Sequence, residues 1–290
     1  MNNKLKAAFK RELPFFLYQP AIIWQVLFFY VPILFIIFIS FKQIGASFFS
    51  GFTLENYMQF FASGFFHILL RSVALAFFTA VFCLLIGYPV AYYIACKAER
   101  WKNLMLFFLI LPFWTNMLVQ VYAWFAVLEH QGFLNLLLMK IGLISEPWTF
   151  LNNRFAVYMV MIYYYLPFMI LPIYAVLEKL DKSFIEASRD LGATQRQTFM
   201  RVILPLSMSG IMTGFFLVFV PAFGEFVIPG LMGGNKLMYV GSLISYYYLV
   251  ARNEPLGAAF TVVSCLVLVM IALAIYAIFS RFMMRDKGAQ

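Results

Sequence analysis

Charge is scarce in this 290-residue chain: Asp, Glu, Lys and Arg make up 11% of it, against about 25% in a soluble domain. With 64% apolar residues and a mean hydropathy of +0.88, the chain cannot cover its own surface in water. A cytosolic globule, a disordered chain and a nucleic-acid binder are excluded, and the solvent is largely lipid. Cysteine is also scarce. Cys83, Cys96 and Cys265 are odd in number, lie in or at the end of apolar runs, and show no CxxC or Cys/His spacing, which excludes a disulfide framework and a structural zinc. His67 and His130 have no second ligand at a metal-site spacing, so no metal ligand is assigned. No His pair, acidic pair, Ser/His or Cys/His arrangement lies within the apolar runs, so no catalytic residue is assigned and an intramembrane enzyme is disfavoured. No GxxxxGK[ST] phosphate loop occurs, so any ATP and Mg would have to be bound by another chain.

What the chain has is length of apolar sequence. Crossing about 30 Å of hydrocarbon takes about 20 helical residues, and six stretches qualify: 15 to 41, 68 to 96, 103 to 129, 154 to 178, 208 to 229 and 256 to 281. Lipid leaves open strand edges unpaired, so the expected fold is all-α, a polytopic membrane protein of six transmembrane helices. Residues 1–14 form a basic tail, 15–281 the membrane domain with a polar loop at 179–207, and 282–290 a second tail. The first apolar run exceeds the h-region of a signal peptide and ends in no small-residue cleavage site, so it is expected to be retained.

The distribution of basic residues orients the chain. Fifteen of the 21 Lys and Arg fall in the N-terminal tail, in 97 to 102, in 179 to 201, and at the end of the last apolar run and beyond it, from Arg281 on. Lys42, Arg71, Lys140, Arg154, Lys236 and Arg252 fall on the other side, so the positive-inside rule places both termini and both basic loops in the cytoplasm. Pro32, Pro89, Pro112, Pro167, Pro172, Pro221 and Pro229 lie within the spans. Each removes a backbone donor, and the loosened carbonyls are tolerable only against protein or a water-filled path.

The loop at 179–207 is the most polar segment, yet it is regular. Ser183 with Glu186 and Thr194 with Gln197 have capping-box spacing, and Gly192 suits a left-handed turn. The expectation is a helix, a glycine turn and a second helix. Its local chemistry alone fits a folded connector equally well. The full spacing, Glu186-Ala187-Ser188, then Gly192, then Leu204-Pro205, resembles the EAA loop of ABC importer permeases. Ser188 replaces the third motif alanine, and Ile203 sits one residue later than the simplest form of the pattern. Leu111-Pro-Phe-Trp-Thr-Asn116, Leu166-Pro-Phe-Met, Glu178-Lys-Leu-Asp-Lys, Gly224-Glu-Phe-Val-Ile-Pro and Leu231-Met-Gly-Gly resemble the spermidine/putrescine branch of that family, and the likeness runs from about residue 20 to 280.

The resemblance implies a type I ABC importer permease bundle, with ATPase coupling through Glu186, Ala187, Ser188, Gly192, Leu204 and Pro205. It implies an ATP-binding cassette ATPase dimer as partner, a second, related permease subunit, and an extracytoplasmic polyamine-binding protein docking on the outer loops near 42 to 67, 130 to 153 and 230 to 255. The place is a bacterial inner membrane. A polyamine needs carboxylates and aromatic faces along its path, and an ionisable residue within a span points to function. Trp114, Asn116, Tyr163 and Glu225 are therefore expected to line the path, with Glu129 as a further candidate. Glu225 reads either as a path residue or as an interfacial acid where the fifth span ends, and Glu129 either as a path residue or as a solvated terminus. No span carries a basic residue in its middle, which fits a cation better than sulfate. An importer for another small solute (a metal chelate, sulfate or an amino-acid-like compound) stands as the alternative, and a passive scaffold leaves the loop without a purpose.

Overall fold

The computed structural model describes residues 18–45, 51–62, 64–98, 100–234 and 237–287. The expected basic tail at 1–14, the extreme C-terminus and Lys236 lie outside the described residues. Helices dominate: α1 (Tyr18–Ser40), α2 (Glu55–Ala62), α3 (Phe66–Cys96), α4 (Lys102–Trp114), α5 (Met117–Leu128), α6 (Phe133–Lys140) and α7 (Arg154–Glu178) come first. They are followed by α8 (Lys182–Asp190), α9 (Gln195–Leu206), α10 (Met208–Gly224), α11 (Val227–Met232), α12 (Val240–Val250) and α13 (Glu254–Lys287). Among the described residues the β-structure is one isolated antiparallel bridge between Lys42 and Phe52.

Four helices, α1, α3, α7 and the 254–281 part of α13, are long and apolar enough to cross a membrane, and the bent pairs α4 with α5–α6 and α9 with α10 raise the number to as many as six. The third expected span is not continuous. After Pro112 the chain leaves the helix at Thr115 and Asn116 and restarts at Met117, turning by 95°. The reason is local: Thr115 and Asn116 take extended backbone, and the Asn116 side chain accepts from Leu118 N–H at 2.8 Å as a new helix cap. The fifth expected span also ends early, at Gly224, and Glu225 and Phe226 separate it from α11. By contrast α7 runs unbroken through Pro167 and Pro172, its first turn capped by Asn153 accepting from Ala156 N–H at 2.9 Å.

Two compact units are distinguishable, 1–65 with 244–264, and 66–243 with 265–290. In the first, α1 is an apolar helix with almost no buried surface. Its end is tied down by Ser40, whose hydroxyl meets the Tyr57 hydroxyl at 2.6 Å, and by Asn56, which donates to the carbonyls of Ser40 and Lys42 at 3.0 and 2.8 Å. Phe60 and Phe65 pack on Phe260.

The second unit is built on α3, α7 and α10. Ala76, Ala80 and Cys83 of α3, Val157, Met161, Met169 and Ile173 of α7, and Val218, Phe219 and Ala222 of α10 are buried between them. Lipid gives no hydrophobic reward for bringing helices together, so close approach through small residues carries the association. Gly210 and Gly214 let α10 lie directly on α7: an added Cβ at Gly210 would sit 2.8 Å from the Pro172 carbonyl oxygen, and at Gly214 3.0 Å from that of Met169. The two helices therefore form one packed pair, with α10 carrying the loop at its start and Glu225 at its end.

Candidate functional site

The loop at 179–207 has the expected helix, glycine turn and second helix, with one shift at its start. The N-cap of α8 is Asp181, not Ser183: its carboxylate accepts from Ser183 N–H at 2.9 Å, so Ser183 lies inside the helix. An Asp two residues ahead outcompetes the Ser because it brings negative charge to the helix N-terminus. That N–H holds the Asp181 carboxyl below the usual carboxylate range. Gly192 ends α8 with φ +79°, and nothing lies within 4 Å of where its Cβ would be. The need for glycine here is a backbone need. Thr194 and Gln197 form the capping box of α9, with Thr194 N–H donating to Gln197 Oε1 at 2.8 Å.

Side chains tie the loop to the bundle. The Ser188 hydroxyl meets the Thr198 hydroxyl at 2.9 Å across the glycine turn, a contact that the alanine of the usual pattern would lack. Phe199 lies edge-on to Tyr88 and Tyr92 of α3, with ring centroids 5.7 and 5.9 Å apart. At the 61° bend between α9 and α10, buried Ser207 shares a hydrogen bond with the Tyr88 hydroxyl at 2.9 Å. Lys102 pairs with Glu178 where α7 ends. On the outer face Phe184, Glu186, Ala187 and Gly192 are exposed, and Leu191 is 89% exposed. Phe184 and Leu191 thus present apolar side chains on an otherwise polar loop. Leu204 and Pro205 are half-buried at the end of α9.

The second constellation surrounds Glu225. The Tyr165 hydroxyl donates to Glu225 Oε2 at 3.1 Å. Oε1 accepts from the N–H groups of Phe226 and Val227 at 3.1 and 2.9 Å and, more distantly, from that of Ile228 at 3.5 Å. One carboxylate oxygen thus caps α11, where the helix dipole favours negative charge, the other accepts from Tyr165, and the residue lines a cavity. That cavity, of about 620 Å³, is lined by Tyr164, Tyr165, Phe168, Thr213, Phe216 and Glu225 among others, a size within the ordinary range for small-molecule pockets. A carboxylate among aromatic rings can bind an ammonium group and lay a methylene chain against the ring faces. Gly241 supports the break behind Glu225, since a Cβ there would collide with the Gly224 carbonyl and lie 3.1 Å from that of Glu225.

The other expected path residues are placed elsewhere. Trp114 is exposed at the end of α4, edge-on to Phe107. Asn116 serves as the cap of α5, next to Met117, which reaches the cavity. Tyr163 packs on Trp124, with centroids 5.2 Å apart. Glu129 is exposed where α5 ends, and its carbonyl accepts from buried Asn135. Tyr165, in the Tyr163–Tyr164–Tyr165 run, and Phe168 and Thr213 line the cavity but are not among the residues that the sequence singles out for the path. The helical repeat contains part of the signal, because Tyr165 and Phe168 share a face of α7 three residues apart while Tyr163 points away.

Residues 87–285 match the family described as binding-protein-dependent transport system inner membrane component. The spermidine/putrescine transport system permease protein PotB of Haemophilus influenzae is 40% identical over 87% of this chain and 88% of its own length. PotB of Escherichia coli is 41% identical over 84% of this chain and 90% of its own. Among solved structures, a bacterial ABC transporter involved in the import of the acidic polysaccharide alginate matches with a TM-score of 0.76 at 18% identity, covering 96% of this chain and 99% of that one. The same alginate transporter with a periplasmic protein bound to an alginate pentasaccharide matches at 0.77. These structures share the fold of this chain, and the chain belongs to the binding-protein-dependent transport system inner membrane components.

Proposed function

We propose that this chain is the membrane-spanning permease subunit of an ATP-driven polyamine importer of a bacterial inner membrane. The observation that carries the reading is 40 to 42% identity, over most of the chain, to permeases named for spermidine and putrescine. The cavity supports it, because Glu225 supplies the negative charge and Tyr164, Tyr165, Phe168 and Phe216 the aromatic walls that an alkyl polyammonium requires. Residues 15–281 form the membrane domain with six spans, both termini and the 179–207 loop are cytoplasmic, and 1–14 and 282–290 are tails.

In this reading an ATP-binding cassette ATPase dimer, which binds the ATP and Mg, grips the exposed face of α8 through Phe184, Glu186, Ala187 and Leu191. Gly192 sets the angle of that face, and Ser188, Leu204 and Pro205 fix it to the bundle. A second, related permease chain completes the path. An extracytoplasmic binding protein delivers the polyamine to the outer loops, and Glu225 then receives one ammonium group, with Asn116 and Trp114 near the bend at α4 and α5, and Tyr163 and Glu129 further along the path. This chain hydrolyses nothing itself. The test is to reconstitute the complex and measure ATP hydrolysis stimulated by the binding protein loaded with putrescine, spermidine, sulfate or an amino acid. Stimulation by a polyamine is expected, and stimulation by a non-polyamine alone would overturn the substrate reading.

A further inference from the structure

The loop that would receive the ATPase and the helix that carries Glu225 meet at Ser207, and the geometry there is unusual. Helix α9 does not run straight into α10: the axis turns by 61°, and residues 199–203 just before the turn are wound as a π-helix. A π-bulge carries an extra residue in the turn and often marks a functional site. Ser207, at the corner, is fully buried. Its hydroxyl reaches back to the Leu204 carbonyl at 2.9 Å and outward to the Tyr88 hydroxyl at 2.9 Å.

Tyr88 belongs to a different span. It sits in α3 between Gly87 and Pro89, is 7% exposed, and its ring receives the edge of Phe199 from the π-wound segment. One residue of α3 therefore holds the foot of the loop through its ring and the corner through its hydroxyl. Gly87 lets α3 lie close to Met169 and Ile170 of α7, where an added Cβ would sit 3.2 Å from Ile170, so Tyr88 is anchored on the packed α3–α7 pair. From Ser207 the 17 residues of α10 run as one helix to Gly224, about 25 Å at 1.5 Å per residue. A small change of angle at the corner is a larger displacement at Glu225.

We propose that the Tyr88–Ser207 hydroxyl pair is a latch that fixes the angle between α9 and α10, and that Tyr88 is the positioning residue through which a push on the loop is delivered to the helix bearing Glu225. Pair and ring contact act together: Phe199 brings the loop to Tyr88, and the hydroxyl pair decides whether α10 follows α3 or swings free. This rests on the proposed importer function for its direction of force, but the latch itself is a property of this chain.

The test uses the assembled transport complex with Tyr88→Phe, Ser207→Ala and the double variant, all near-isosteric. One reading is the distance distribution between nitroxide labels at the exposed positions Gln195 on α9 and Leu217 on α10. The other is putrescine transported per ATP hydrolysed in vesicles. A neutral hydrogen bond has a net worth equivalent to a factor of about five in an equilibrium, so each single variant should broaden the label distribution and lower transport per ATP about fivefold. The double variant should be no worse than Ser207→Ala alone, since Ser207→Ala already removes the bond that Tyr88→Phe breaks, along with that to the Leu204 carbonyl. Unchanged distributions in both singles, or losses that multiply in the double, would overturn the latch. If the wild type moves no putrescine, the polyamine reading fails while the label distances still decide the latch.

Discussion

Glu225 has two separable duties, and one substitution divides them. Its Oε1 accepts N–H donors at the start of α11, its Oε2 accepts from Tyr165, and the side chain lines the cavity. Glu225→Gln keeps a carbonyl oxygen for the cap and removes the charge. Glu225→Ala removes both. Loss of a charge-assisted hydrogen bond costs about 1.5–3 kcal/mol, which corresponds to roughly a 10- to 100-fold rise in the half-saturating polyamine concentration. The cap is worth about 1 kcal/mol, so Gln should leave thermal stability near that of the wild type while Ala lowers it. The assay is concentration-dependent uptake of labelled putrescine into vesicles containing the assembled complex, with thermal unfolding measured on the same preparations. Unchanged half-saturation in Glu225→Gln would refute the view that this carboxylate meets the cation.

Further outcomes follow from individual residues. Gly192→Leu should lower ATP-driven uptake with the complex still assembled, because a left-handed backbone costs a non-glycine residue roughly 1–2 kcal/mol; Gly192→Asn, which tolerates that conformation better, should retain more. Gly214→Val should lower the melting temperature of the purified subunit, since its added atoms meet the Met169 backbone and overpacking costs about 1–3 kcal/mol. Asp181 has its carboxyl lowered in the folded loop, so its cap is present above the ordinary carboxylate range and is lost as pH falls through the lowered value. Protection of the Ser183 amide, measured against its intrinsic exchange rate at each pH, should fall with acid in the wild type, and that acid-induced loss should be missing in Asp181→Asn.

How far the sequence could be read depended on what set each feature. Helix α7 was legible to its end residues because an Asn cap precedes an unbroken apolar run. The loop was legible because glycine at φ +79° and a Thr/Gln capping box are local demands. The break at Thr115 and Asn116 was hidden by the apolar residues around Pro112, and only the pair of polar residues marks it. Choosing among Tyr163, Tyr164 and Tyr165 needed the packing of α10 on α7, which spacing along one helix does not contain. Gly241 was unreadable for the same reason: its partner, the Gly224 carbonyl, is 17 residues away and meets it only after the chain breaks at Glu225.

If this chain helps to move a polyamine inward at the expense of ATP, that movement can be followed directly. The direct measurement is ATP-dependent accumulation of labelled putrescine in vesicles that hold this subunit with its ATPase, its second permease and its binding protein, compared with labelled sulfate. Accumulation of putrescine, suppressed by excess spermidine and not by sulfate, is expected. Accumulation of sulfate with none of putrescine would contradict it.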